Sequence, residues 1–445
     1  MMMNKKVFLL AICTIGLVAA CQAQIKQVLL PSSSIEKAID ALFQNHQAAQ
    51  TPGVAIGIVH KGKLIFKKVY GSANLEHNIP IRTTTKFPLA SVSKQFTVFA
   101  LLLLAEQQKL SLDDEVRKFI PELSDFGVSL TLRHLAHHTS GLRGDLQLLG
   151  MSGVSPSDAI TQIQALRLIF RQKSLNFNPG EAFSYSNAGY TLLAEVVARV
   201  SGMSFSAFTK AHIFDPLQMY QTFFLDDYTQ LIPHQADAYY KQNGVYRKNT
   251  IKFGLLGSTG IWTTLEDFSK WAINFQRLKI GNPRIFSEME KVGKLNHGQT
   301  LNYALGQFVN QYQGLKLIEH SGGNGGYSAY LGRFPQQDFS VLLLCNQASV
   351  DARAKALAVA SVFLKPCFQA KPLDTSVTAR VKYEQVPNVV LNAHCGDYVH
   401  TKAYYTRKIR LENDTLRYVR TNSSQITNLL PLCQDTFQMQ GVDLQ

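Results

Sequence analysis

Apolar residues recur along the chain at two different spacings, which separate predicted helices from predicted strands. Residues 32–47 repeat apolar positions at helical spacing behind serine cap candidates, so an amphipathic helix is predicted there until Pro52 breaks it. Residues 54–60 and 64–70 are β-rich runs on either side of Lys61-Gly62-Lys63, an arrangement typical of a hairpin. The main body is therefore expected to start with a helix and a strand pair.

The rest of the main body uses the same two patterns. The stretch 87–108 is apolar on most sides, which predicts a long helix through the core. Residues 130–275 mix helical patterns with loops, strand patterns follow at 328–334 and 339–345, and a helix is predicted at 354–364. This order predicts an α+β fold, in which an antiparallel sheet of N- and C-terminal strands is flanked by helices and joined by a helical subdomain.

A change from helical patterns to short strand patterns near the C-terminus predicts a second, smaller unit. Pro366 and Pro372 indicate a linker over 366–378, which leaves a main domain over 30–365. Short strand patterns then predict a small β module over 379–445, expected to be a short or incomplete barrel. These patterns cover residues 397–405, 405–411, 416–420 and 426–430.

The composition is that of a globular protein. Of 445 residues, 46% are hydrophobic and 17% are charged, which excludes intrinsic disorder. The net charge of +14 raises the alternative of nucleic-acid binding through the basic residues of the C-terminal module. These are Arg407, Lys408, Arg410, Arg417 and Arg420. Because lysines and arginines are dispersed along the chain, and because the N-terminus predicts export, no nucleic-acid partner is expected.

The first residues have the pattern of an export signal. Lys5-Lys6 precedes the apolar run 7–20, which is too short for a comfortable membrane span. One processing route leaves a lipidated Cys21 at a lipobox-like site. The other removes residues 1–23 by simple cleavage, and it is favoured because a lipobox match is short and permissive. The protein is expected to be periplasmic or secreted, and a lipid on Cys21 would be its one contact with a membrane.

Cysteine and histidine spacings give no pattern typical of a metal site. No CxxC occurs, and the pair His134 and His138, four residues apart as in some zinc sites, is followed at once by the helix-ending Thr139-Ser140-Gly141. A phosphate-binding glycine loop is also missing, so neither a metal nor a cofactor is expected. A disulfide between Cys395 and Cys433 is left open.

The first candidate for chemistry is Ser91-Val92-Ser93-Lys94, at the predicted buried helix. Residues three apart on a helix share a face, so Lys94 can accept the Ser91 proton if burial lowers its pKa. Ser34-Ile35-Glu36-Lys37 has the same spacing, but on an amphipathic surface helix a capping serine and a solvated lysine are the simpler interpretation. The apolar helix behind Ser91 favours a catalytic role for the first motif.

Two further motifs follow in chain order. Tyr185-Ser186-Asn187 offers a phenol that can shuttle protons beside a lysine and an amide that can bind a substrate amide. His320-Ser321-Gly322 precedes a glycine run, where backbone N–H groups can approach a substrate as an oxyanion hole requires. His60-Lys61-Gly62 and His394-Cys395-Gly396 also fit the last triplet, but only the 320–322 copy carries the glycine run and two following strands.

Together the three ordered motifs resemble the serine β-lactamase and DD-peptidase superfamily, specifically its class C-like branch of β-lactamase-related serine hydrolases. That branch uses Ser-x-x-Lys, Tyr-x-Asn and a Lys/His-x-Gly triplet. Residues 130–135, 138–142 and 187–190 are similar to it as well, and the resemblance covers residues 35–364. It implies a β-lactamase/DD-peptidase-like fold and a serine hydrolase that works through an acyl-enzyme.

The resemblance also implies roles for matching positions. Ser91 is the expected nucleophile, Lys94 its partner, and Tyr185 the general base for acylation and the acid for the leaving group. The expected substrate-binding residues are Asn187, His320 and Gly322. The expected oxyanion hole consists of the backbone N–H groups of Ser91 and Gly323.

One departure from the class C pattern bears on the substrate. Class C enzymes carry Lys-Thr-Gly at the third motif, and His320 replaces that lysine by a weaker, conditional cation. A substrate carboxylate should be held less firmly, so a D-residue peptide or a small ester is expected, with β-lactam hydrolysis less favoured. The alternative is a catalytically weak, penicillin-binding-like sensor or scaffold that binds cell-wall fragments. In both cases the expected partner is a small molecule or peptide, for which the cell wall is a candidate source.

Overall fold

The computed structural model describes residues 33–48, 50–154, 158–249, 252–369, 385–400, 405–420, 426–433 and 436–439. The chain divides into two compact units between Gln369 and Ala370. The predicted signal peptide, 1–23, and all but the first residues of the predicted linker, 366–378, lie outside the described residues.

Helices make up much of the larger unit. They are α1 (Ser33–Leu42), α2 (Ser93–Glu106), α3 (Leu132–Ala136), α4 (Asp145–Met151), α5 (Gln162–Phe170), α6 (Asn187–Ser201), α7 (Phe205–Thr209), α8 (Leu265–Arg277), α9 (Pro283–Met289) and α10 (Ala352–Leu364). A π-helical turn, Lys210–Phe214, continues α7. Within the described ranges no single helix is long and apolar enough to cross a membrane, and only α6 with its bent continuation Phe205–Phe214 passes that test as a pair, by length and composition.

The strands of the larger unit occur at both ends and in short sheets of two or three strands between them. They are β1 (Val54–His60), β2 (Lys63–Tyr70), β3 (Ser72–Asn74), β4 (Ile79–Pro80), β5 (Phe87–Pro88), β6 (Ile160–Thr161), β7 (Phe223–Phe224), β8 (Ala238–Gln242), β9 (Val245–Asn249), β10 (Phe253–Gly254), β11 (Ile261–Thr263), β12 (Phe308–Tyr312), β13 (Leu315–Asn324), β14 (Tyr327–Phe334) and β15 (Phe339–Cys345). The predicted hairpin, the last two predicted strands and the helix that follows them are confirmed.

The principal sheet joins the two ends of this unit. Its six strands follow the order β12-β13-β14-β15-β1-β2, and the pairs described by their register are antiparallel. Val54 of β1 lies opposite Cys345 of β15, so an N-terminal strand is inserted beside a C-terminal one. The predicted α+β sheet of N- and C-terminal strands is confirmed.

Both faces of the sheet are covered, because alternate residues of its central strands enter two different apolar cores. Val54, Ile56 and Ile58 pack with the residues of α1 and α10. Ala55 and Val59 point to the opposite face and belong to the large core that contains the helical body. Every residue of β1 is buried as a result.

The predicted helix 87–108 is wrong at its start. Phe87–Pro88 is a strand, a 3-10 turn covers Ala90–Val92, and helix α2 begins only at Ser93. Pro88 disfavours helical backbone in the residue before it, and Ala90 is in the left-handed region with a φ of +46°. The apolar pattern runs through strand, turn and helix alike because all three are buried, so the pattern alone could not locate the break.

The smaller unit is an open antiparallel sheet with a short helix, α11 (Asn388–Ala393). Its strands pair in chain order and are β16 (Gly396–His400), β17 (Tyr405–Glu412), β18 (Thr415–Arg420), β19 (Ile426–Cys433) and β20 (Thr436–Met439). Leu391, Leu416 and Leu429 form its small core. The predicted β module is confirmed as a half-barrel, with β20 as a strand that the sequence patterns did not predict. Within the described residues Cys395 is a thiol, so the disulfide left open between it and Cys433 is not formed.

Candidate active site

Ser91 stands on a strained turn at the entrance to helix α2. The turn follows strand β5, and the left-handed backbone of Ala90 costs a residue with a side chain about 1–2 kcal/mol. The Leu89 N–H donates to the Ile261 carbonyl of β11 at 2.8 Å, which ties the turn to a neighbouring strand. The Ser91 side chain is half-buried, so a ligand can reach its hydroxyl.

Lys94 lies one helical turn further along and is fully buried. Its Nζ is 3.2 Å from Ser91 Oγ, and it donates to Asn187 Oδ1 and to the Ser258 carbonyl, both at 2.8 Å. Burial lowers the pKa of Lys94 to about 7, and the charge of Asp145 acts in the opposite direction. A large share of the lysine is therefore an uncharged amine near neutral pH, able to accept a proton from Ser91.

Tyr185 lies in the loop that leads into α6, and Asn187 is the first residue of that helix. The Lys94 Nζ lies 4.9 Å from the centroid of the Tyr185 ring, and the Tyr185 hydroxyl is close enough to the Ser91 side chain for its pKa to be affected by it. Burial raises the pKa of Tyr185, while the neighbouring Ser91 side chain acts against the rise. Tyr185 is therefore a neutral phenol at neutral pH, and a phenolate favoured by the lysine is not its resting state.

His320 lies on β13 and is only 3% exposed. Its Nδ1 lies 2.7 Å from the Ser321 carbonyl and so carries the hydrogen, which leaves Nε2 to accept from the Tyr303 hydroxyl at 3.3 Å. Burial, with the Lys94 charge as a second cause, lowers the pKa of His320 to about 3. The imidazole is thus uncharged at neutral pH, whereas the triplet alone suggested a conditional cation.

Gly322 allows strand β13 to touch the turn that holds Ser91. A Cβ atom on Gly322 would lie 2.1 Å from the Leu89 carbonyl oxygen and 3.1 Å from the Ala90 Cβ. A Cβ on Gly323 would meet nothing within 4 Å. The strand is therefore in contact with the nucleophile turn at Gly322 and faces open space at Gly323.

Gly322→Ala is expected to lower kcat/KM for ester hydrolysis by ~100-fold, because moving β13 and the Ser91 turn apart by about 1 Å misplaces the reacting groups. The measurement is steady-state hydrolysis of an activated ester. Gly150→Ala is the control, since a Cβ there meets nothing within 4 Å. A Gly322→Ala protein with the wild-type rate would show that this close contact is not needed.

Two residues contribute to the site without belonging to any of the predicted motifs. Ser258 binds Lys94 through its backbone carbonyl, on a loop in which Gly257 and Gly260 have φ values of +86° and +106°. Asp145 is fully buried, accepts a hydroxyl hydrogen bond from α6 at 2.6 Å and supplies the charge that acts on Lys94. In the sequence, the two glycines were the one feature that could have indicated this loop. No sequence feature indicated a role for Asp145.

The histidines spaced for zinc make separate structural contacts. His134 Nδ1 accepts the Thr131 N–H at 3.2 Å at the start of α3, and His138 Nδ1 accepts the Ser186 N–H at 3.1 Å. Across the residues that the structure describes, no group of three or more His, Cys, Asp or Glu is placed to hold a metal ion. Of the seven predicted site residues, by contrast, six converge at one place: Ser91, Lys94, Tyr185, Asn187, His320 and Gly322. The seventh, Gly323, follows Gly322 on β13.

Sequence comparison finds relatives over the larger unit and beyond it. A sequence model described as Beta-lactamase matches residues 39–363. Protein flp of Staphylococcus aureus (strain MW2) is 28% identical over 329 residues, which are 70% of this chain and 63% of that protein. Penicillin-binding protein 4* of Bacillus subtilis (strain 168) is 25% identical over 430 residues, 92% of each chain. The chain thus spans less than two thirds of the staphylococcal protein and nearly all of the Bacillus one.

Solved structures show the same fold. The octameric penicillin-binding protein homologue from Pyrococcus abyssi has a TM-score of 0.68 at 23% identity, over 90% of both chains. D-amino acid amidase from Ochrobactrum anthropi SV3 has a TM-score of 0.61 at 21% identity, over 75% of this chain and 98% of its own. These likenesses confirm the predicted β-lactamase/DD-peptidase-like architecture.

Proposed function

This chain belongs to the beta-lactamase family of serine hydrolases, and from that premise we propose that it cleaves an amide or ester bond through an acyl-enzyme on Ser91. The observation that carries the proposal is the distance of 3.2 Å between Ser91 Oγ and the Nζ of Lys94, a lysine whose pKa burial lowers to about 7. A serine hydroxyl needs a neighbouring proton acceptor to act as a nucleophile, and Lys94 is placed to be that acceptor.

Acylation starts when the uncharged Lys94 amine takes the Ser91 proton and Oγ bonds to the substrate carbonyl carbon. The negative oxygen of the tetrahedral intermediate is stabilised by the backbone N–H groups of Ser91 and Gly323. As the bond to the leaving group breaks, the Tyr185 phenol gives its proton to that group and regains one from the Lys94 ammonium. The Ser91 proton has then moved to the leaving group, and a water molecule repeats the steps in reverse to release the acid.

The division of labour between Lys94 and Tyr185 follows from their pKa values. The family resemblance gives Tyr185 both the base and the acid role. A phenol whose pKa burial raises is a poor base but an intact proton donor, which supports the acid role. A lysine with a pKa of about 7 is suited to be the base at neutral pH.

The proposed substrate has a neutral group where class C enzymes bind a carboxylate. The nitrogens of His320 are bound to Ser321 and Tyr303, and the ring is uncharged. A substrate carboxylate beside His320 would meet no positive charge from that position. The structural similarity to D-amino acid amidase favours D-residue amides, and we include small esters. A peptide from the cell wall is the candidate source, within reach of a protein exported as its N-terminal pattern predicts.

A matched substrate pair tests this preference. We expect kcat/KM to be ~10-fold higher, about 1.4 kcal/mol, for a D-alanyl-D-alanine peptide capped as an amide than for the same peptide with a free carboxylate. His320→Lys should reduce the ratio of kcat/KM between the amide and the carboxylate peptide, because it adds a cation. Tyr303→Phe is the control, because it removes the hydrogen bond to His320 without adding charge. A wild-type preference for the free carboxylate would contradict the neutral-substrate proposal.

The first experiment on the function as a whole is intact-mass analysis after mixing with an activated ester and, separately, with a penicillin. We expect turnover of the ester and a slower, Ser91-dependent adduct with the penicillin. A stable adduct with both reagents and no turnover would instead favour the weak sensor or scaffold. Neither an adduct nor hydrolysis with either reagent would contradict the proposed function.

A further inference from the structure

His138 binds the backbone on both sides of Tyr185. Its carbonyl accepts the Ser184 N–H at 2.9 Å, and its Nδ1 accepts the Ser186 N–H at 3.1 Å. The residue before Tyr185 and the residue after it are therefore held by one amino acid. Two such bonds restrict rotation of the backbone between them and so restrict the direction of the Tyr185 side chain.

The ring of His138 also supports the ring of Tyr185. Their centroids are 4.1 Å apart with the planes inclined by 33°. Tyr303 and Tyr190 lie against His138 as well, with centroids 4.7 and 5.1 Å away, and the imidazole is 1% exposed. The φ of +59° at His138 is in the left-handed region, a conformation that a residue with a side chain keeps only when its surroundings hold it.

The hydrogen bond from Ser186 requires a neutral imidazole with its hydrogen on Nε2. Burial, followed by the charge of Lys94, holds the pKa of His138 well below its usual range, so the acceptor is preserved. Within the described residues Nε2 has no hydrogen-bond partner. His138 therefore acts on its neighbours through Nδ1, its carbonyl and the face of its ring.

We propose that His138 is a positioning residue for the Tyr185 hydroxyl, which it holds beside Ser91 by binding the 184–186 backbone and supporting the phenol ring. The inference rests on the proposed function, in which Tyr185 protonates the leaving group. A displaced phenol leaves the binding surface of β13 in place. The expected loss is therefore in kcat and not in KM.

Two substitutions distinguish the contribution of the His138 hydrogen-bond acceptor from that of its ring. His138→Asn keeps an acceptor oxygen at the same number of bonds from the backbone as Nδ1, and asparagine tolerates the left-handed region. His138→Phe keeps the ring but leaves the Ser186 N–H without its acceptor. We expect kcat for an activated ester to fall ~30-fold in His138→Phe, within the range of general acid–base effects, and to stay within ~5-fold of wild type in His138→Asn, with KM unchanged in both.

His137→Phe is the matched control. His137 is the adjacent buried histidine, and its Nε2 contacts the Lys291 carbonyl at 3.2 Å instead of the Tyr185 segment. This variant is expected to keep the wild-type kcat, while its unfolding temperature falls by about as much as that of His138→Phe. His138→Ala, which leaves a cavity in place of a packed ring, is the second variant for the same comparison if His138→Phe does not fold.

Crystal structures of the wild type and His138→Phe provide a readout that does not depend on activity. We expect the Tyr185 hydroxyl to move away from Ser91 in the variant. If the wild type neither hydrolyses nor labels, the proposed function fails, and the position of Tyr185 alone still decides the role of His138. The assignment would be overturned if Tyr185 stayed in place in the variant or if kcat in His138→Phe remained within ~3-fold of wild type. It would also be overturned if His138→Asn lost as much kcat as His138→Phe.

Discussion

Ser91→Ala is expected to lose hydrolysis and covalent labelling together while the protein stays folded. The Ser91 side chain is half-buried and belongs to neither large apolar core, so its loss should leave the unfolding temperature nearly unchanged. Lys94 keeps its bonds to Asn187 and Ser258. Without Oγ no acyl-enzyme can form, and the rate should fall on the order of 10⁴-fold or more. Intact-mass analysis with an activated ester and steady-state hydrolysis measure the two losses.

The chain provides a matched control in its second Ser-x-x-Lys sequence. Ser34 and Lys37 lie on α1 and are exposed, away from any residue of the site. Ser34→Ala should therefore label and hydrolyse as the wild type does. If Ser91→Ala still hydrolyses the ester at the wild-type rate, the nucleophile is another residue and the proposed mechanism is wrong.

Lys94→Ala is expected to have the second largest effect, a loss of at least ~100-fold in the rate of acylation. The variant keeps the Ser91 hydroxyl but removes the amine 3.2 Å away that is placed to accept its proton. Tyr185 cannot replace it as a base, because burial raises its pKa. Single-turnover labelling measures the loss, and Lys37→Ala is the control.

The pH dependence of kcat/KM provides a second test of Lys94 as the proton acceptor. Only the uncharged amine can accept a proton, so wild-type kcat/KM should rise with pH and reach half its maximum near the pKa of Lys94, about 7. His320 does not titrate in this window, since its pKa is lowered to about 3. Lys94→Ala should lack the rise. A flat wild-type profile, or the same rise in the variant, would place the proton acceptor elsewhere.

The sequence was sufficient for four of the six strands of the principal sheet and for the positions of the polar motifs, because both depend on local spacing, whereas β12 and β13 were not predicted as strands. Strands β1, β14 and β15 follow from runs of apolar residues between turn residues. Ser91 and Lys94 follow from the three-residue spacing of one helical turn. The start of α2 was placed six residues too early, because buried strand, turn and helix share one apolar pattern.

The properties that depend on burial could not be predicted from the motifs. A histidine in a sequence motif can be exposed or buried, and His320 is uncharged mainly because Tyr303 and neighbouring residues bury it. The Ser258 contact uses a backbone carbonyl, which any residue possesses. The contacts of His138 with the backbone on both sides of Tyr185 require knowledge of how two distant loops meet.

The place of β1 between β2 and β15 determines when the larger unit can fold. The β1–β2 hairpin is local, but Val54 meets Cys345 only after almost all of the larger unit has been synthesised. Until then a strand that is buried on both faces has an open edge, a template for pairing with other chains. Contacts of such long range form slowly. A polypeptide that ends before β15 therefore lacks half of the pairing of β1, and such a fragment of the larger unit is not expected to fold independently.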